Sequence, residues 1–298
     1  MNKLIIALAL GAAAVGPAVA ADFPTKAPAG IMPVAKPIYD WSGVYIGGNA
    51  GGGWSHNCWT QNGYNVPVIQ YQDSPFLGIS NVNSASEGCH SASGAMAGGQ
   101  IGARYQVNSF VFGIEAEGDW ANLKGSNTSP IFDKINTALG PNGNITLVNT
   151  TKTDAIGMFT GQVGYSFGPV LWYAKGGAAV THNVYSGSLN ASFTCGVDCG
   201  TLTAGLTDAR KETRFGGIVG TGLEWMFAPG WSIGAEYNHL FMGSEQVGMS
   251  YTGNSLGGSA LPPTIKAGNI VGIPSRAETI SQDLDIAKVR LNYTFGAH

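Results

Sequence analysis

The chain has 298 residues, of which 45 are glycine and only 11% are charged, and its formal net charge is −3. Soluble globular domains usually carry about 25% charged residues, so this composition is unusual for one. After the first 20 residues, no stretch approaches the roughly 20 apolar residues that a spanning helix needs, which excludes a helical membrane protein. The sequence has no basic run or patch, which excludes nucleic acid as a partner.

The first 20 residues have the pattern of a signal peptide. Lys3 supplies the positive charge, residues 4–15 form the apolar stretch, and Ala18-Val19-Ala20 places small residues at the cleavage positions. We predict cleavage after Ala20 and export to the cell outer membrane through an oxidising compartment. A retained anchor is the alternative, but about twelve apolar residues are too few to span a bilayer. The four prolines of residues 21–40 then predict an extended periplasmic linker.

Residues 41–298 are predicted to form one β-barrel domain. Eight segments in this part alternate between apolar and polar residues at period two, which is typical of strands. In chain order, they span residues 42–54, 94–106, 110–121, 152–167, 170–184, 212–227, 231–243 and 283–295.

Short and long connections alternate between these segments. The short ones are turn pairs, namely Asn108-Ser109, Gly168-Pro169 and Pro229-Gly230. The long ones are four polar loops, at residues 55–93, 122–151, 185–211 and 244–282. This asymmetry is typical of outer-membrane barrels. We therefore predict an all-β fold: an eight-stranded antiparallel up-and-down transmembrane β-barrel with short periplasmic turns and four long extracellular loops.

The alternation also predicts which face of each strand meets lipid. In residues 110–121, Phe110 and Phe112 share one face, whereas Glu115 and Glu117 share the other. The apolar faces end in aromatic residues, as a lipid-facing girdle does, and a soluble lipocalin-like barrel is the alternative. The predicted interfacial aromatics are Trp41, Tyr45, Trp120, Trp172, Trp225, Trp231, Tyr293 and Phe295. Trp54 and Trp59 are instead candidates for stacking on a carbohydrate.

The charged face is predicted to line the lumen. The residues assigned to it are the acids Glu115, Glu117, Asp119, Glu224 and Glu236 and the bases Arg104, Lys175, Arg214, Lys288 and Arg290. Buried charges must be paired, and an eight-stranded barrel is just wide enough for side chains to fill it. We predict an ion-pair network that plugs the lumen, so that the protein is an envelope structural protein and a surface-exposed scaffold. The alternative is a narrow porin that passes ions or small solutes.

The sequence offers little for catalysis or metal binding. Cys58 with Cys89, and Cys195 with Cys199, are interpreted as two loop disulfides, and free or intermolecular thiols are the alternative. No histidine or acidic cluster accompanies either pair, so we expect neither a metal nor a cofactor. His239 and Ser244 lie near the end of one predicted strand, but no acid can be assigned to them, and we predict no enzyme activity.

Three segments resemble a known family. Residues 21–28 (ADFPTKAP), residues 41–51 (WSGVYIGGNAG) and residues 289–295 (VRLNYTF) resemble small outer-membrane immunogenic proteins of the porin family from alphaproteobacteria. The resemblance implies an OmpA-like eight-stranded barrel, a surface antigen, and roles in envelope integrity and contact with a host or the environment. It carries over no catalytic residues.

The expected partners are outer-membrane lipids and lipopolysaccharide, the barrel-assembly machinery, and host or environmental ligands at the outer loops. One feature departs from the family. Its members usually end on the aromatic residue that the assembly machinery recognises, whereas Gly296-Ala297-His298 follow Phe295 here. This extension puts the efficiency of that recognition in question.

Overall fold

The structure is a computed structural model of the chain. It describes residues 39–65, 68–71, 74–76, 84–133, 136–137, 140–194, 201–258, 270–271 and 275–296. The predicted signal peptide, nearly all of the predicted linker, and the Cys195–Cys199 pair lie outside these residues.

Eight long antiparallel strands form a closed barrel. They are β1 (Gly43–Asn65), β2 (Ala85–Val107), β3 (Phe110–Thr128), β4 (Gly143–Phe167), β5 (Val170–Thr194), β6 (Thr201–Ala228), β7 (Trp231–Gly258) and β8 (Ser275–Phe295). Each strand pairs with its neighbours in sequence, and β1 pairs with β8 from Val44 opposite Phe295 to Asn65 opposite Ser275, which closes the ring. The predicted eight-stranded up-and-down barrel is therefore confirmed.

The remaining elements are short. Segments Val68–Tyr71, Ser74–Phe76 and Ile270–Val271 pair in a separate small sheet. Two 3-10 helices, Pro130–Phe132 and Gly140–Asn142, lie between β3 and β4. No helix among the described residues is long and apolar enough to cross a membrane.

Three tight turns join strands at one end of the barrel, which we call the turn end. They lie between β2 and β3, β4 and β5, and β6 and β7, at the three predicted turn pairs. Asn108 (φ 55°), Gly168 (φ 74°) and Gly230 (φ 75°) adopt the left-handed conformation there. Glycine and asparagine tolerate this conformation, so the sequence places each turn accurately. We call the opposite end the loop end.

At the loop end the strands are longer than the sequence predicted, and the loops are correspondingly shorter. For example, β1 continues to Asn65 instead of ending at residue 54, and β4 begins at Gly143 instead of residue 152. In these extensions the inward positions are often polar, as at Asn57 and Thr151, which are both fully buried. The extensions therefore lack the apolar alternation by which the strands were predicted.

The structure also places the first cysteine pair differently from the prediction. Cys58 and Cys89 form a disulfide, but they lie directly opposite each other on β1 and β2 and not in a loop. The bond ties together the two strand extensions that lead into the first connection of the loop end. It therefore restrains this end of the barrel wall covalently.

Removing this disulfide should destabilise the barrel. Its cysteines are 31 residues apart, and closing a loop of that length stabilises a fold by about 3.7 kcal/mol. We expect Cys58→Ala/Cys89→Ala to lower the urea-unfolding free energy by that order. The measurement belongs in a Cys195→Ala/Cys199→Ala background, where reductant should destabilise the parent protein and leave the variant unchanged. An equal response of both proteins to reductant would contradict the prediction.

Candidate functional site

The lumen of the barrel holds a dense set of charged side chains. All ten residues assigned to it from the sequence lie buried on the inner face, none of them more than 7% exposed. The strand alternation places them there, because each sits two or four positions from another inward residue. Eight of them form ion pairs with one another, and two do not.

The centre of the lumen is a crossed set of ion pairs around Arg290. Its guanidinium contacts the carboxylates of Glu115 and Glu236, which lie on β3 and β7. Lys175 of β5 bridges the same two acids, at 2.6 Å from Glu236 and 3.2 Å from Glu115. Tyr173 donates its hydroxyl hydrogen to Glu236 at 2.6 Å. Four strands are therefore tied together across the barrel.

Lys288 completes this central network. Its ammonium contacts Glu117 and lies 3.2 Å from Glu236, while Lys175 lies 3.6 Å from Glu117. Three carboxylates thus face three cations, so the central network is electrically neutral. These carboxylates approach within 4.8 Å of one another, a spacing that could hold a metal ion, but the cations already occupy the space between them.

A second pair lies nearer the turn end. Arg104 donates to Glu224 at 2.7 Å, and the side chains of both residues are at most 1% exposed. Glu224 also accepts hydrogen bonds from Ser232 and Asn292, at 2.6 and 2.5 Å. The guanidinium of Arg104 lies over the ring of Tyr45 at 4.4 Å. The carboxylate of Glu224 is therefore well satisfied, whereas Arg104 has the Tyr45 ring but no hydrogen-bond partner at Nε and Nη1 among the described residues.

Trp41 and Tyr45 were predicted to be interfacial anchors, and this prediction was wrong. Both are buried in the lumen, at 1% and 0% exposure, and Tyr45 donates to Glu115 at 2.6 Å. Trp41 belongs to an apolar cluster with Val111, Leu171, Tyr173 and Met226 at the turn end. Aromatic residues near a strand end can face either way, and Trp41 precedes the first alternating position of β1.

The other predicted interfacial aromatics face outward. Trp120, Trp172, Trp225, Trp231 and Phe295 are between 42% and 79% exposed, and Tyr293 packs against Trp231 at 5.1 Å. They belong to a wider set of exposed apolar side chains around the turn-end half of the barrel, which we call the lipid-facing band. Its other members are Val44, Ile46, Ile101, Tyr105, Val107, Phe110, Phe112, Ile114, Phe159, Val163, Phe167, Phe215, Val219, Leu223, Phe227, Ile233, Tyr237, Phe241, Val289 and Leu291. Of the two candidates for stacking on a carbohydrate, Trp54 is exposed and Trp59 is fully buried, so the structure excludes Trp59 from that role.

Asp119 and Arg214 do not join the central network. Asp119 forms no ion pair with any described residue, although it lies on the same face as Glu117. Arg214 lies 3.5 Å from Glu245, and it donates to the backbone carbonyls of Met242 and Gly243 at 3.3 and 2.8 Å. Arg214 therefore satisfies strand carbonyls and is not part of the predicted set of pairs.

The position of Arg214 coincides with a seam between β6 and β7. Asp208 pairs with Tyr251, and the next paired position is Gly217 with Phe241, so the ladder is interrupted over the residues between them. Arg210 and Glu245, which border this seam, have side chains that are 57% and 43% exposed. At the turn-end side of the seam, Arg214 donates hydrogen bonds to the carbonyls of Met242 and Gly243, which lie where the ladder is interrupted. Arg214 therefore closes this side of the seam.

Above the ionic layer, toward the loop end, the lumen is apolar. Ten buried side chains form one cluster there: Met96, Leu123, Ile156, Met158, Ala179, Ile218, Leu240, Met242, Leu284 and Ile286. Because Ile286 and Leu284 lie two and four positions from Lys288 on β8, this apolar layer directly covers the ionic one.

A second ionic cluster, which the sequence analysis missed, lies nearer the loop end. Arg276 contacts Asp208 at 2.8 Å, Glu87 at 3.2 Å and Glu278 at 3.6 Å, and all four side chains are buried. We call these four residues the outer cluster. They fall in segments that the sequence predicts as loops, which have no predicted inward face. The sequence feature that indicates this cluster is the i, i+2 spacing of Arg276 and Glu278, which continues the inward positions of β8.

The outer cluster has three carboxylates and one cation, and its titration is shifted accordingly. It lies beyond the lipid-facing band, because the exposed apolar residues of β8 are Val289, Leu291 and Phe295. Burial and the neighbouring Glu87 carboxylate raise the pKa of Glu278 to about 8, against the opposing effect of Arg276. Burial likewise raises the pKa of Glu87. At neutral pH the carboxyl group of Glu278 therefore keeps its proton.

The structure provides an acid for His239 but does not bring Ser244 to it. The Nδ1 atom of His239 lies 2.7 Å from Asp285, on the outer face of the barrel. Ser244, which was considered with His239, lies opposite Ser281 on the far side of a register shift, whereas His239 lies opposite Asp285. The candidate histidine and serine are thus not brought together.

Sequence comparison assigns the protein to a family. A profile of the outer membrane protein beta-barrel domain matches residues 5–260. The chain belongs to this family. Its place is therefore the outer membrane, with the turn end on the periplasmic side and the loop end outside. A comparison with curated proteins finds no match.

Several solved outer-membrane proteins are similar to this family member at low identity. Ail of Yersinia pestis is 10% identical, with 82% of this chain and 99% of that chain covered and a TM-score of 0.23. OprG from Pseudomonas aeruginosa is 10% identical, with 87% and 100% covered and a TM-score of 0.32. The protease OmpT from Escherichia coli is 8% identical, with 86% and 98% covered and a TM-score of 0.32.

Proposed function

We propose that this outer-membrane barrel is a non-enzymatic structural protein of the envelope whose lumen is plugged by side chains. The observation that carries the proposal is the succession of layers in the lumen. From the turn end, an aromatic cluster around Trp41 is followed by the ionic network around Arg290, the apolar layer around Leu284 and the outer cluster around Arg276. A solute would have to displace every layer to pass.

The part of the barrel beyond the lipid-facing band suits display. Strands such as β6 and β7 are each 28 residues long, and 9–11 residues suffice to cross a bilayer. The surplus projects a wall of strands beyond the outer leaflet, in which the Cys58–Cys89 disulfide ties β1 to β2. We propose that this wall and its loops form the surface-exposed antigen and the platform for host or environmental ligands.

The decisive measurement is single-channel conductance of the folded protein in a planar bilayer. Migration that changes on boiling would first establish that the barrel is folded. We expect no conductance steps, because the ionic and apolar layers exclude water from the lumen. Steady and reproducible steps would overturn the plug.

A narrow porin is the second candidate, and the seam favours it. Arg210 and Glu245 are exposed to solvent where the ladder between β6 and β7 is interrupted, so the loop-end part of the lumen is open from the side, beyond the apolar layer. If conductance steps appear, Arg214→Ala should enlarge them, because Arg214 closes the turn-end side of the seam.

A further inference from the structure

Three lysines form one row across the outer wall of the barrel. Lys124 on β3 lies opposite Lys152 on β4, Lys152 lies opposite Val184 on β5, and Val184 lies opposite Lys211 on β6. We call Lys124, Lys152 and Lys211 the lysine row. It follows the direction of the strand hydrogen bonds, so its members lie side by side across the neighbouring strands β3 to β6.

The lysine row faces outward and concentrates the basic charge of the wall. Lys124 and Lys211 are exposed, Lys152 is half-buried, and the side chains flanking Lys152 point into the lumen. The described part of the chain contains seven further Lys and Arg residues. Six of these are buried in the lumen, and Arg210 borders the seam. Among the residues that the structure describes, all the outward cations away from the seam are thus in this row.

The row is unfavourable unless an anion accompanies it. Like charges directly opposite each other on one face of a sheet destabilise it, and Lys124 opposes Lys152. None of the three lysines forms an ion pair with an acidic residue in the described ranges. The nearby carboxylates already have partners, since Asp154 contacts His182 at 2.5 Å and Glu212 contacts Arg210 at 3.4 Å.

The level of the row matches that of lipid headgroups. Trp120 and Phe215 are each 79% exposed, and they are the aromatic residues of the lipid-facing band nearest the loop end on β3 and β6. Lys124 and Lys211 each lie four residues beyond them, which places the row roughly 10 Å above the band in a tilted strand. Lysine side chains are long enough to reach down to the headgroups from there.

The opposite wall has the opposite charge. On β8, Asp283 and Asp285 face outward, and no Lys or Arg faces outward on the described residues of β1, β7 and β8. An anionic lipid therefore meets attraction along β3–β6 and repulsion along β7–β8. The barrel has one side on which such a lipid can bind.

We propose that the lysine row binds the phosphate groups of a lipid in the outer leaflet. Lys124 with Lys152 forms one cationic site, and Lys211 forms a second about 10 Å away, the width of two strand spacings. A lipid with two phosphates at about that separation fits the row. The proposal goes beyond the plugged scaffold and depends only on the outer-membrane location of the barrel.

The test is binding of diphosphoryl lipid A to the folded full-length protein in neutral detergent, counted by native mass spectrometry. We expect Lys124→Gln/Lys152→Gln/Lys211→Gln to weaken binding by at least about 10-fold, since each lysine near such a surface contributes to anion binding. The matched Lys→Arg triple variant should bind as the parent does. Lipid A without its phosphates should bind the parent as weakly as diphosphoryl lipid A binds the Gln variant.

Three results would overturn the proposal. The first is equal binding of diphosphoryl lipid A by the parent and the Gln variant. The second is displacement of the lipid by an equal concentration of inorganic phosphate, which would make the row a site for free phosphate. The third is tighter binding of a soluble sulfated polysaccharide than of the lipid. The lysines are on the surface, so the variants should fold, and boiling-dependent migration checks that they do.

Discussion

Replacing Glu236 with alanine should lower the free energy of unfolding by about 3–5 kcal/mol, because it leaves a buried cation unpaired. Glu236 contacts Lys175, Lys288 and Arg290, and it accepts a hydrogen bond from Tyr173. Without it, two carboxylates face three cations in the central network. The measurement is the urea-unfolding midpoint of the folded barrel in detergent or lipid.

Two comparisons make this result specific to charge pairing. Asp283→Ala on the outer face removes the same charge from an exposed position, and it should change stability by less than about 0.5 kcal/mol. Adding Lys175→Met to Glu236→Ala should cost less than the two single effects together, because it removes the surplus cation. An unchanged midpoint for Glu236→Ala would show that no network holds the lumen.

The sequence predicts the turn-end half of the barrel well because two signals coincide there. Alternation of apolar and charged residues places Glu115 inward and Phe112 outward, and glycine or asparagine marks each tight turn. Lipid outside and ion pairs inside make the two faces chemically opposite. That opposition is what period-two patterning detects.

Both signals fail where the surroundings change. Beyond the lipid-facing band, water replaces lipid outside and polar residues such as Asn149 and Thr153 fill the lumen, so the two faces look alike in sequence. The outer cluster was missed for this reason. The partners of the ion pairs across the lumen also could not be predicted from the sequence, because these pairs join strands that are far apart in the chain. Arg104 with Glu224, on β2 and β6, is an example.

The second prediction with a large expected effect concerns the outer cluster. Arg276→Met keeps much of the side-chain volume and removes the only cation that contacts Glu87, Asp208 and Glu278 within this cluster. We expect a loss of about 3–5 kcal/mol in the stability of the loop-end half, since three buried carboxylates lose their common partner. Hydrogen exchange of the backbone at residues 275–284 should accelerate, while residues 285–295 should stay protected.

The pH dependence of this variant separates charge from packing. Arg276 opposes the upward shift in the pKa of Glu87 and Glu278, so its removal raises both further above their unfolded values. A carboxyl group with a raised folded pKa stabilises the fold when protonated, and that contribution is lost as pH rises through the folded pKa. The stability of the variant should therefore be closest to that of the parent near pH 4–5, and the difference should grow as the pH increases.

Adding Glu278→Gln should restore part of the lost stability at high pH. A loss that is equal at every pH would assign the role of Arg276 to its packing on Trp59, whose ring lies 5.4 Å from the guanidinium carbon.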